Sequence, residues 1–418
     1  MIKIGVIADD FTGATDIASF LVENGLSTVQ LSGVPAGDIE LNTDAVVISL
    51  KSRSCPTDEA IRDSIAALDW LKSRGTEQVY FKYCSTFDST AAGNIGPVTD
   101  ALLDALDHDF TIICPSLPVN GRSVYMGNLF VGEQLLSESG MRNHPVTPMT
   151  DSNLVRLMDA QARGTTGLVN AAIIDAGVDA VKARLEEVKA AGHRYAVLDT
   201  LNEAHLETLG AAVAGLPLVT GGSGLALGLA RHLATSTTKQ SAAGQPTRGK
   251  TVIFSGSCSQ MTNAQVADYR QHACSYPLDV KACIEQDDYA RQIMAWLLPK
   301  LDNPAAPLVF ATADAETLAQ IQATYGAERA STAVEETFAE LALLAKQHQV
   351  TNFIVAGGET SSIVTQRLGV EAFHIGPQIA PGVPWVKAVD QNLNLTLKSG
   401  NFGQVDFFSR ALTFMVEK

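Results

Sequence analysis

The chain of 418 residues has no apolar run long enough to span a bilayer and no cysteine or histidine spacing typical of a zinc site. Its six cysteines are scattered without a CxxC pair, so a disulfide framework is not expected. The first nine residues lack the apolar core and the small-residue cleavage site of a signal peptide. We therefore expect a cytoplasmic protein without a dedicated metal site.

Positive charge is also scarce. There are 30 lysines and arginines against 45 aspartates and glutamates, which gives a formal net charge of −15. Such a surface repels nucleic acid and anionic membranes, and no cluster of basic residues offsets it. We expect neither as a partner, whereas a small anionic substrate is compatible with a few cations in a cleft. The oligomeric state stays open, with a homodimer as one alternative.

Short apolar runs alternate with segments of helical periodicity, a pattern that predicts an α/β fold with mostly parallel sheets flanked by helices. Residues 236–250 are polar and small, without periodicity, and read as a linker. The sequence thus predicts two domains, 1–235 and 251–418, with the active site in the cleft between them.

The pattern also predicts the individual elements. The expected strands are 2–8, 44–50, 79–85, 110–115, 194–199, 216–220, 251–255, 308–312 and 352–356. The expected helices are 14–24, 57–74, 95–106, 178–191, 203–214, 263–272, 289–301 and 336–347, and residues 383–415 should hold short strands and a closing helix. Ligands of such sheets bind at the carboxyl ends of the strands, so motifs at those positions carry the most information.

Two adjacent carboxylates, Asp9 and Asp10, directly follow the first predicted strand, and Thr12 and Gly13 open the next helix. One aspartate here could simply cap the helix. Two in succession favour a site that faces substrate hydroxyls, a metal ion or a proton to be removed, because carboxylates repel phosphate.

Cationic and polar residues follow the next two predicted strands. Arg53 comes directly after one strand, where it could grip a carboxylate or simply be solvated. Lys82 lies inside an apolar strand, where burial without a partner is costly, and Asp88 and Ser89 follow it in a polar loop. We expect these residues to contact a substrate, and Arg122 is a weaker candidate.

A glycine-rich run at residues 221–228 resembles a dinucleotide-binding loop. Its spacing is GxGxxxG, and no second strand with an acidic residue follows it. Close packing of a helix against a strand explains most of these glycines better. An oxidoreductase that uses NAD through this loop is nevertheless a rival function.

Three loops in the second half contain glycine and serine, and at least two of them follow predicted strands. Residues 255–259 read Ser-Gly-Ser-Cys-Ser, residues 357–362 read Gly-Gly-Glu-Thr-Ser-Ser, and residues 398–403 read Lys-Ser-Gly-Asn-Phe-Gly. Glycines let a backbone approach a ligand, and helix amino termini bind phosphate. A tight turn would explain any one of them, but three together indicate a phosphate site. The Walker sequence is absent, so a P-loop enzyme is excluded.

These motifs, in this order along the whole chain, resemble the four-carbon acid sugar kinase family. The resemblance implies a sugar-acid domain, a nucleotide domain, and ATP-dependent phosphorylation of the terminal hydroxyl of a four-carbon sugar acid. Many members carry an arginine in the third motif, where Ala91 and Ala92 stand here. The substrate within the family is therefore left open.

The resemblance also assigns residues to the two ligands. It implies that the sugar site contains Asp9, Asp10, Thr12, Gly13, Arg53, Lys82, Asp88 and Ser89. It implies that ATP contacts Ser255, Ser257, Gly357, Gly358, Glu359, Thr360 and Gly400.

A mechanism follows from these assignments. We hypothesise that Mg²⁺ and the glycine loops hold the phosphates, that Arg53 and Lys82 anchor the substrate carboxylate, and that Asp9 or Asp10 acts as base or orienting group. Domain closure would exclude water. Besides the oxidoreductase, a non-catalytic sugar-acid binding protein is a rival, although it needs no nucleotide loops.

Overall fold

A computed structural model describes residues 2–35, 37, 39, 41–144, 146–235 and 242–416. The chain divides into two compact units, Met1–Gln240 and Ser241–Lys418. The predicted linker 236–250 begins with six residues that lie outside the described part, so its limits stay a prediction. Within the described ranges, no helix is long and apolar enough to cross a membrane.

The first unit contains strands β1 to β11. In chain order they are β1 (Ile4–Ala8), β2 (Thr28–Ser32), β3 (Ala45–Ser49), β4 (Gln78–Lys82), β5 (Thr111–Cys114), β6 (Arg122–Tyr125), β7 (Asn128–Val131), β8 (Gln134–Leu135), β9 (Thr166–Val169), β10 (Tyr195–Leu198) and β11 (Leu218–Gly221). Its helices are α1 (Phe11–Glu23), α2 (Thr57–Ser73), α3 (Ile95–Ala105), α4 (Leu154–Asp159), α5 (Ala171–Asp175), α6 (Val178–Ala190), α7 (Glu203–Val213) and α8 (Gly224–Leu233).

Eight of these strands form a parallel sheet in the order β2-β3-β1-β4-β11-β5-β10-β9. The strands at its centre are buried along their whole length, as expected for a parallel sheet covered by helices on both faces. In register, Ala8 of β1 pairs with Ser49 of β3 and with Lys82 of β4. The residues that follow these three strands therefore meet at one edge of the sheet.

A small antiparallel sheet, β6-β7-β8, is attached to this layer. The buried carboxylate of Asp199, just after β10, accepts hydrogen bonds from the backbone N–H groups of Met126, Gly127 and Ala171 at 2.8–3.0 Å. Because the turn between β6 and β7 is held in this way, the small sheet has a fixed position on the first unit.

The second unit contains strands β12 to β18. They are β12 (Lys250–Ser255), β13 (Ser275–Pro277), β14 (Leu308–Phe310), β15 (Val350–Ala356), β16 (Ala372–Ala380), β17 (Val383–Ala388) and β18 (Asn394–Lys398). Its helices are α9 (Gln260–Tyr269), α10 (Val280–Glu285), α11 (Tyr289–Leu297), α12 (Ala315–Tyr325), α13 (Ala327–Gln347), α14 (Gly358–Leu368) and α15 (Phe407–Leu412).

The sheet of the second unit is parallel through β13-β14-β12-β15-β18 and continues into β17 and β16 by antiparallel pairing. Its core is a continuous apolar cluster that includes Ile253, Leu308 and Ile354. Trp385 is fully buried in this cluster, and its indole N–H donates to the carbonyl oxygen of Ala411 at 3.0 Å. The indole N–H thus has a hydrogen-bond acceptor inside the core.

The predicted α/β class and the division into two mostly parallel domains are confirmed, and all predicted strands and helices occur with shifted ends. The strand predicted at 79–85 ends at Lys82, because Phe87 and Asp88 adopt positive φ angles in the following loop. The helix predicted at 336–347 begins nine residues earlier, at Ala327. Its first turns are mostly exposed and polar, so they carry little periodicity.

Candidate functional site

Three loops that the sequence singled out meet at the carboxyl edge of the first sheet. The backbone N–H of Asp9 donates to the carbonyl oxygen of Lys82 at 3.0 Å, and the N–H groups of Ser52 and Arg53 donate to the carbonyl oxygen of Asp9 at 3.0 and 3.2 Å. The backbone thus fixes the Asp9, Arg53 and Lys82 side chains beside each other. This edge of the first sheet, with its side chains, is called the carboxylate site below.

Arg53 binds both aspartates of the carboxylate site. Its Nε and Nη2 donate to the two carboxylate oxygens of Asp9 at 2.9 and 2.8 Å, and Nη2 also reaches Oδ1 of Asp10 at 2.6 Å. Two parallel hydrogen bonds to one carboxylate are the strongest arrangement available to arginine. The fork of the guanidinium therefore faces protein carboxylates, and among the described hydrogen bonds of Arg53 none uses the side-chain nitrogen Nη1.

Asp10 also begins helix α1. Its Oδ1 accepts the backbone N–H of Gly13 at 3.0 Å, so the simple capping interpretation is correct for this oxygen. A Cβ at Gly13 would overlap Oδ1 of Asp10 and lie 2.8 Å from Nζ of Lys82. The glycine thus lets Lys82 lie against the start of the helix, and Thr12 lies in the same first turn.

Burial and ion pairing oppose each other at this site. Burial raises the pKa of the Asp9 carboxyl, and the Arg53 guanidinium only partly offsets that rise. Burial by itself would lower the pKa of Arg53, but Asp9 and Asp10 raise it. Arg53 is therefore permanently charged, and its charge favours the ionised form of the buried Asp9 carboxyl.

Lys82 is almost completely buried at the end of β4. Its Nζ donates to the carbonyl oxygen of Tyr83 at 2.8 Å, which uses one of its three protons. Asp9 and Asp16 both feel its charge, since it lowers the pKa of each against the effect of burial. Lys82 thus brings a second cation to the carboxylate site.

Asp88 and Ser89 lie in a loop with an unusual backbone. Phe87 and Asp88 have φ angles of 65° and 43°, in the left-handed region that residues with a Cβ seldom occupy. Thr86 Oγ1 donates to Oδ1 of Asp88 at 2.7 Å, and Ser89 Oγ donates to Oε1 of Gln161 at 2.7 Å. Asp88 and Ser89 line a small cleft together with Asp9 and Arg53. The loop therefore faces the carboxylate site.

Sequence reasoning missed two residues at this edge. Asn94 donates from Nδ2 to the carbonyl oxygens of Ser52 and Cys55 at 2.9 Å each, and so connects the Arg53 loop to α3. Asp16 accepts a hydrogen bond from Ser223, and burial raises its pKa. Asn94 and Asp16 lie close in sequence to residues of the predicted motifs. Sequence spacing does not predict their hydrogen-bond partners, which are distant in the chain.

The three glycine-serine loops of the second unit also lie together. They follow β12, β15 and β18, and the loop that follows β18 extends the prediction, which had identified only two of them as following strands. The N–H of Gly357 donates to the carbonyl oxygen of Lys398 at 2.8 Å, and a Cβ at Gly400 would lie 2.7 Å from Ser257 Oγ. These loops form what is called the glycine site below.

Helix α14 begins inside the glycine site. Gly357 precedes it with a φ of 129°, and no side chain caps the helix. A Cβ at Gly358 would meet no other atom within 4 Å, so the space beside the start of the helix is open. Such a helix start can receive phosphate oxygens. Thr360, in the first turn, is buried.

The serines of this site already have partners inside the protein. Ser255 is fully buried, and its Oγ lies 2.6 Å from Oγ1 of Thr312. Ser257 Oγ accepts the backbone N–H of Ser259 at 3.2 Å. Their hydroxyls therefore shape the loops, and their predicted contact with ATP stays a prediction.

An apolar pocket adjoins the glycine site. Gly256, Cys258 and Thr360 of the glycine loops line it, and Glu335 and Glu359 add two carboxyl groups. Burial raises the pKa of Glu359, and Glu335 raises it further. The remaining lining is supplied mainly by α12, α13 and the loop after β14, through Val280, Ala311, Ala313, Leu318, Ile321, Gln322, Ala327, Ala330, Ser331 and Val334. Sequence reasoning did not find this pocket, because α12 has no buried residues and gives no apolar periodicity.

The dinucleotide-like run at residues 221–228 is a packing feature, as expected. A Cβ at Gly221 would overlap the carbonyl oxygen of Cys114, and one at Gly222 would overlap that of Pro115. A Cβ at Gly228 would collide with the carbonyl oxygen of Leu206. Close packing against the end of β5 and against α7 therefore explains these three glycines. In the described part of the chain, no group of three or more His, Cys, Asp or Glu residues is placed to hold a metal ion.

Comparisons with known proteins also divide the chain into a sugar-binding part and a nucleotide-binding part. The family model for a sugar-binding N-terminal domain matches residues 4–229, and that for a nucleotide-binding C-terminal domain matches residues 252–408. The curated protein named 3-oxo-tetronate kinase from Pectobacterium atrosepticum is 60% identical over 98% of this chain and 99% of its own. A protein of the same name from Actinobacillus succinogenes is 60% identical over 98% of each chain.

A solved structure is equally similar. The crystal structure of Haemophilus influenzae protein HI1011 superposes with a TM-score of 0.91 at 59% identity, and covers 98% of this chain and 99% of its own. Family models match most of the sequence, and the relatives match it almost end to end. The chain therefore belongs to the four-carbon acid sugar kinase family, as its motifs predicted.

Proposed function

We propose that this protein is an ATP-dependent kinase that phosphorylates the terminal C4 hydroxyl of 3-oxo-tetronate, and so produces the 4-phosphate in sugar-acid catabolism. The observation that carries the proposal is its 60% identity, over nearly the full length, to proteins named 3-oxo-tetronate kinase. The carboxylate site and the glycine site supply the two kinds of chemistry that such a reaction needs.

The glycine site fits a nucleoside triphosphate. Gly357, Gly358 and Gly400 form a backbone cradle at a helix amino terminus, where N–H groups and the helix dipole stabilise phosphate oxygens. The adjoining pocket is mostly apolar, which makes it the proposed site of the adenine ring. We expect Glu359 and Thr360 to border the phosphates.

We expect Mg²⁺ to arrive with the phosphate oxygens of ATP, where it neutralises charge that develops during transfer. A dedicated protein cage is not needed for this role, because Mg²⁺ commonly keeps its waters and binds substrate phosphates. The protein residues contribute the alignment of donor and acceptor.

The carboxylate site fits a polyhydroxylated acid. We propose that Lys82 and Nη1 of Arg53 attract the substrate carboxylate, and that Asp88 and Ser89 bind hydroxyl groups across the cleft. Asp9 uses both oxygens to hold Arg53, whereas the two described hydrogen bonds of Asp10 both use Oδ1. Oδ2 of Asp10 is therefore the better candidate for orienting the attacking hydroxyl or accepting its proton.

The experiment compares the wild type with Asp10→Asn. ADP formation is measured with 3-oxo-tetronate and its stereoisomers, and ATP binding is measured separately by calorimetry. We expect turnover to fall by about 100-fold or more, since a positioned base contributes at least that factor, while the Kd for ATP stays unchanged. The exposed Asp58→Asn is the matched control. Wild-type turnover in Asp10→Asn would reject the assignment, and absence of ADP formation by the wild type would reject the kinase.

Cytoplasmic location and a homodimer stay predictions of the sequence. Light scattering of the purified protein tests the second of them directly.

A further inference from the structure

A buried lysine lies beneath the glycine site. Lys398 is the last residue of β18, and its side chain is completely buried. Its Nζ donates to Oγ1 of Thr262 at 3.0 Å and to the carbonyl oxygens of Ser399 and Gly400 at 3.2 and 2.9 Å. The three acceptors match the three protons of an ammonium group, so the charged form of Lys398 is the one that fits this environment.

Its contacts join all three glycine-serine loops. The carbonyl oxygen of Lys398 accepts the N–H of Gly357, which precedes α14. Thr262 Oγ1, in addition to binding Nζ, donates to the carbonyl oxygen of Gly400 at 2.7 Å and accepts from Ser259 Oγ at 3.0 Å. The side chain of Lys398 thus ties the Gly400 turn to Thr262 and, through it, to Ser259, while the backbone carbonyl of Lys398 ties the turn to the Gly357 loop.

No carboxylate neutralises this lysine. Thr262 and two carbonyl oxygens are polar but uncharged, and the ring of Phe407 lies 5.9 Å away. The charged side chains on the elements around it are Asp268 and Arg270 at α9, Glu359 and Arg367 on α14, Lys387 on β17, and Asp406 and Arg410 at α15. In the described part of the chain none of them forms an ion pair with Lys398, and burial lowers the pKa of its ammonium to about 7.

Loss of the proton would change the hydrogen bonding of the turn. A neutral amine has two N–H groups and one lone pair, so it cannot donate to all three acceptors. The Thr262 hydroxyl could then donate to the lone pair, but it would have to release the carbonyl oxygen of Gly400. The protonation of Lys398 and the conformation of the Gly400 turn are therefore coupled.

We propose that Lys398 is a positioning residue for the nucleotide, which orients the Gly400 turn from below and takes up a proton when a triphosphate binds above it. The inference rests on the proposed ATP site. An anion near a partly deprotonated lysine favours the ammonium form, and the same charge then strengthens binding through the intervening backbone. Lys398 supplies positive charge without touching the phosphates.

Calorimetry of the full-length protein tests this proposal. ATP with Mg²⁺ is titrated without sugar acid, at pH 8, in two buffers with different ionisation enthalpies. The difference in apparent enthalpy counts the protons. We expect the wild type to take up a measurable fraction of a proton per nucleotide, because burial lowers the pKa of Lys398 to about 7 and leaves part of the lysine neutral at pH 8.

Two variants separate charge from packing. Lys398→Met should bind ATP at least 10-fold more weakly at pH 7 and take up no proton, whereas Lys398→Arg should recover most of the affinity, also without uptake. Lys346→Met is the control, since Lys346 also donates to a carbonyl oxygen in this unit, at 3.1 Å from Leu368. Its proton count should equal that of the wild type.

The outcomes are distinguishable. If the wild type does not bind ATP with Mg²⁺, the proposed function fails. If it binds without proton uptake, or if Lys398→Met binds as tightly as the wild type, only the role of Lys398 is overturned. Circular dichroism of Lys398→Met and its affinity for 3-oxo-tetronate test whether the variant is folded. If it is unfolded, the proton count of the wild type is the deciding measurement.

Discussion

We propose that the carboxylate site and the glycine site bind polar ligands in opposite ways. The first uses charged side chains that are already paired with each other, around the ion pair of Arg53 with Asp9 and Asp10. The second uses backbone N–H groups, small residues and an apolar pocket, with the charge of Lys398 hidden underneath. Specific hydroxyl patterns need directed side chains, whereas phosphate oxygens can be bound by any backbone that is free to approach them.

The comparison implies that the two sites break in different ways. Removing a side chain should destroy the carboxylate site, because its charges depend on one another. Adding one methyl carbon to a glycine of the glycine site should weaken ligand binding there, because the ligand needs the space that the glycine leaves open. Damage to one site should leave binding at the other unchanged.

The largest effect is expected from Arg53→Ala. The variant leaves Asp9 buried without its partner, and breaking a buried pair in this way typically costs about 3–5 kcal/mol of unfolding free energy. Arg53 is partly exposed, so we expect about 3 kcal/mol together with loss of turnover, measured by denaturant unfolding and ADP formation. The exposed pair of Arg156 with Asp151 is the control, and Arg156→Ala should leave the unfolding free energy nearly unchanged.

The pH dependence of this variant has a defined sign. Burial already raises the pKa of Asp9, and without Arg53 the pKa should rise further. A carboxyl group with a raised pKa destabilises the folded state above that pKa, and the penalty disappears once both states are protonated. The deficit of Arg53→Ala should therefore shrink as the pH falls towards 4. A constant deficit would mean that Asp9 is not the cause.

The second effect comes from adding a carbon to the glycine site. Gly358→Ala should not lower stability, because its Cβ meets no protein atom within 4 Å and alanine favours a helix. We still expect the Kd for ATP to rise about 10-fold, since the methyl group would occupy the space that the phosphates need. Gly215→Ala, which also meets no atom, is the control in the first unit. Unchanged ATP affinity in Gly358→Ala would remove the helix start from the nucleotide site.

A substitution at the neighbouring Gly357 provides a second test of the glycine site. Gly357 has a φ of 129°, and a Cβ there would lie 3.0 Å from Thr360 Oγ1 and 3.2 Å from the backbone N of Ser257. Gly357→Ala should therefore lose stability, by roughly 1–3 kcal/mol of backbone strain, as well as ATP affinity. The two substitutions thus separate the room for the ligand from the conformation of the loop.

Much of both sites was predictable because strand ends and loop composition are local features. Asp9 was expected at the carboxyl edge of the sheet, and it lies there beside Lys82, which was expected inside a strand, because β1 and β4 are parallel neighbours. The three glycine loops were expected to act together, and the hydrogen bond between Gly357 and Lys398 joins two of them. Local sequence identifies these positions without knowledge of the distant contacts.

The rest depends on contacts that sequence spacing does not encode. Arg53 was expected to bind a substrate carboxylate, yet its fork holds two aspartates more than 40 positions away. The apolar pocket is built partly by α12, a helix with no buried residues, and therefore without the periodicity that would have revealed it. Ser255 faces Thr312, a pairing that only the neighbouring positions of β12 and β14 create.

The smallest effect is expected from Glu359, a charged residue at the edge of the glycine site. Glu359 lies in the first turn of α14 and lines the nucleotide pocket, so its carboxylate should repel the phosphates. We expect Glu359→Gln to lower the Kd for ATP about two-fold at pH 8, as for other partly exposed charges worth a few tenths of a kcal/mol. Glu371→Gln, beyond the far end of α14, should change nothing.

This gain at Glu359 should depend on pH and salt in a definite direction. Burial and Glu335 raise the pKa of Glu359, so the wild-type side chain loses its charge as the pH falls, and the difference from glutamine should shrink with it. Added salt should also reduce it, because repulsion between exposed charges is screened. A rise in Kd of 10-fold or more would contradict repulsion. It would show that a carboxylate takes part in holding Mg²⁺ after all, and the glycine site would then resemble the carboxylate site more closely than its backbone suggests.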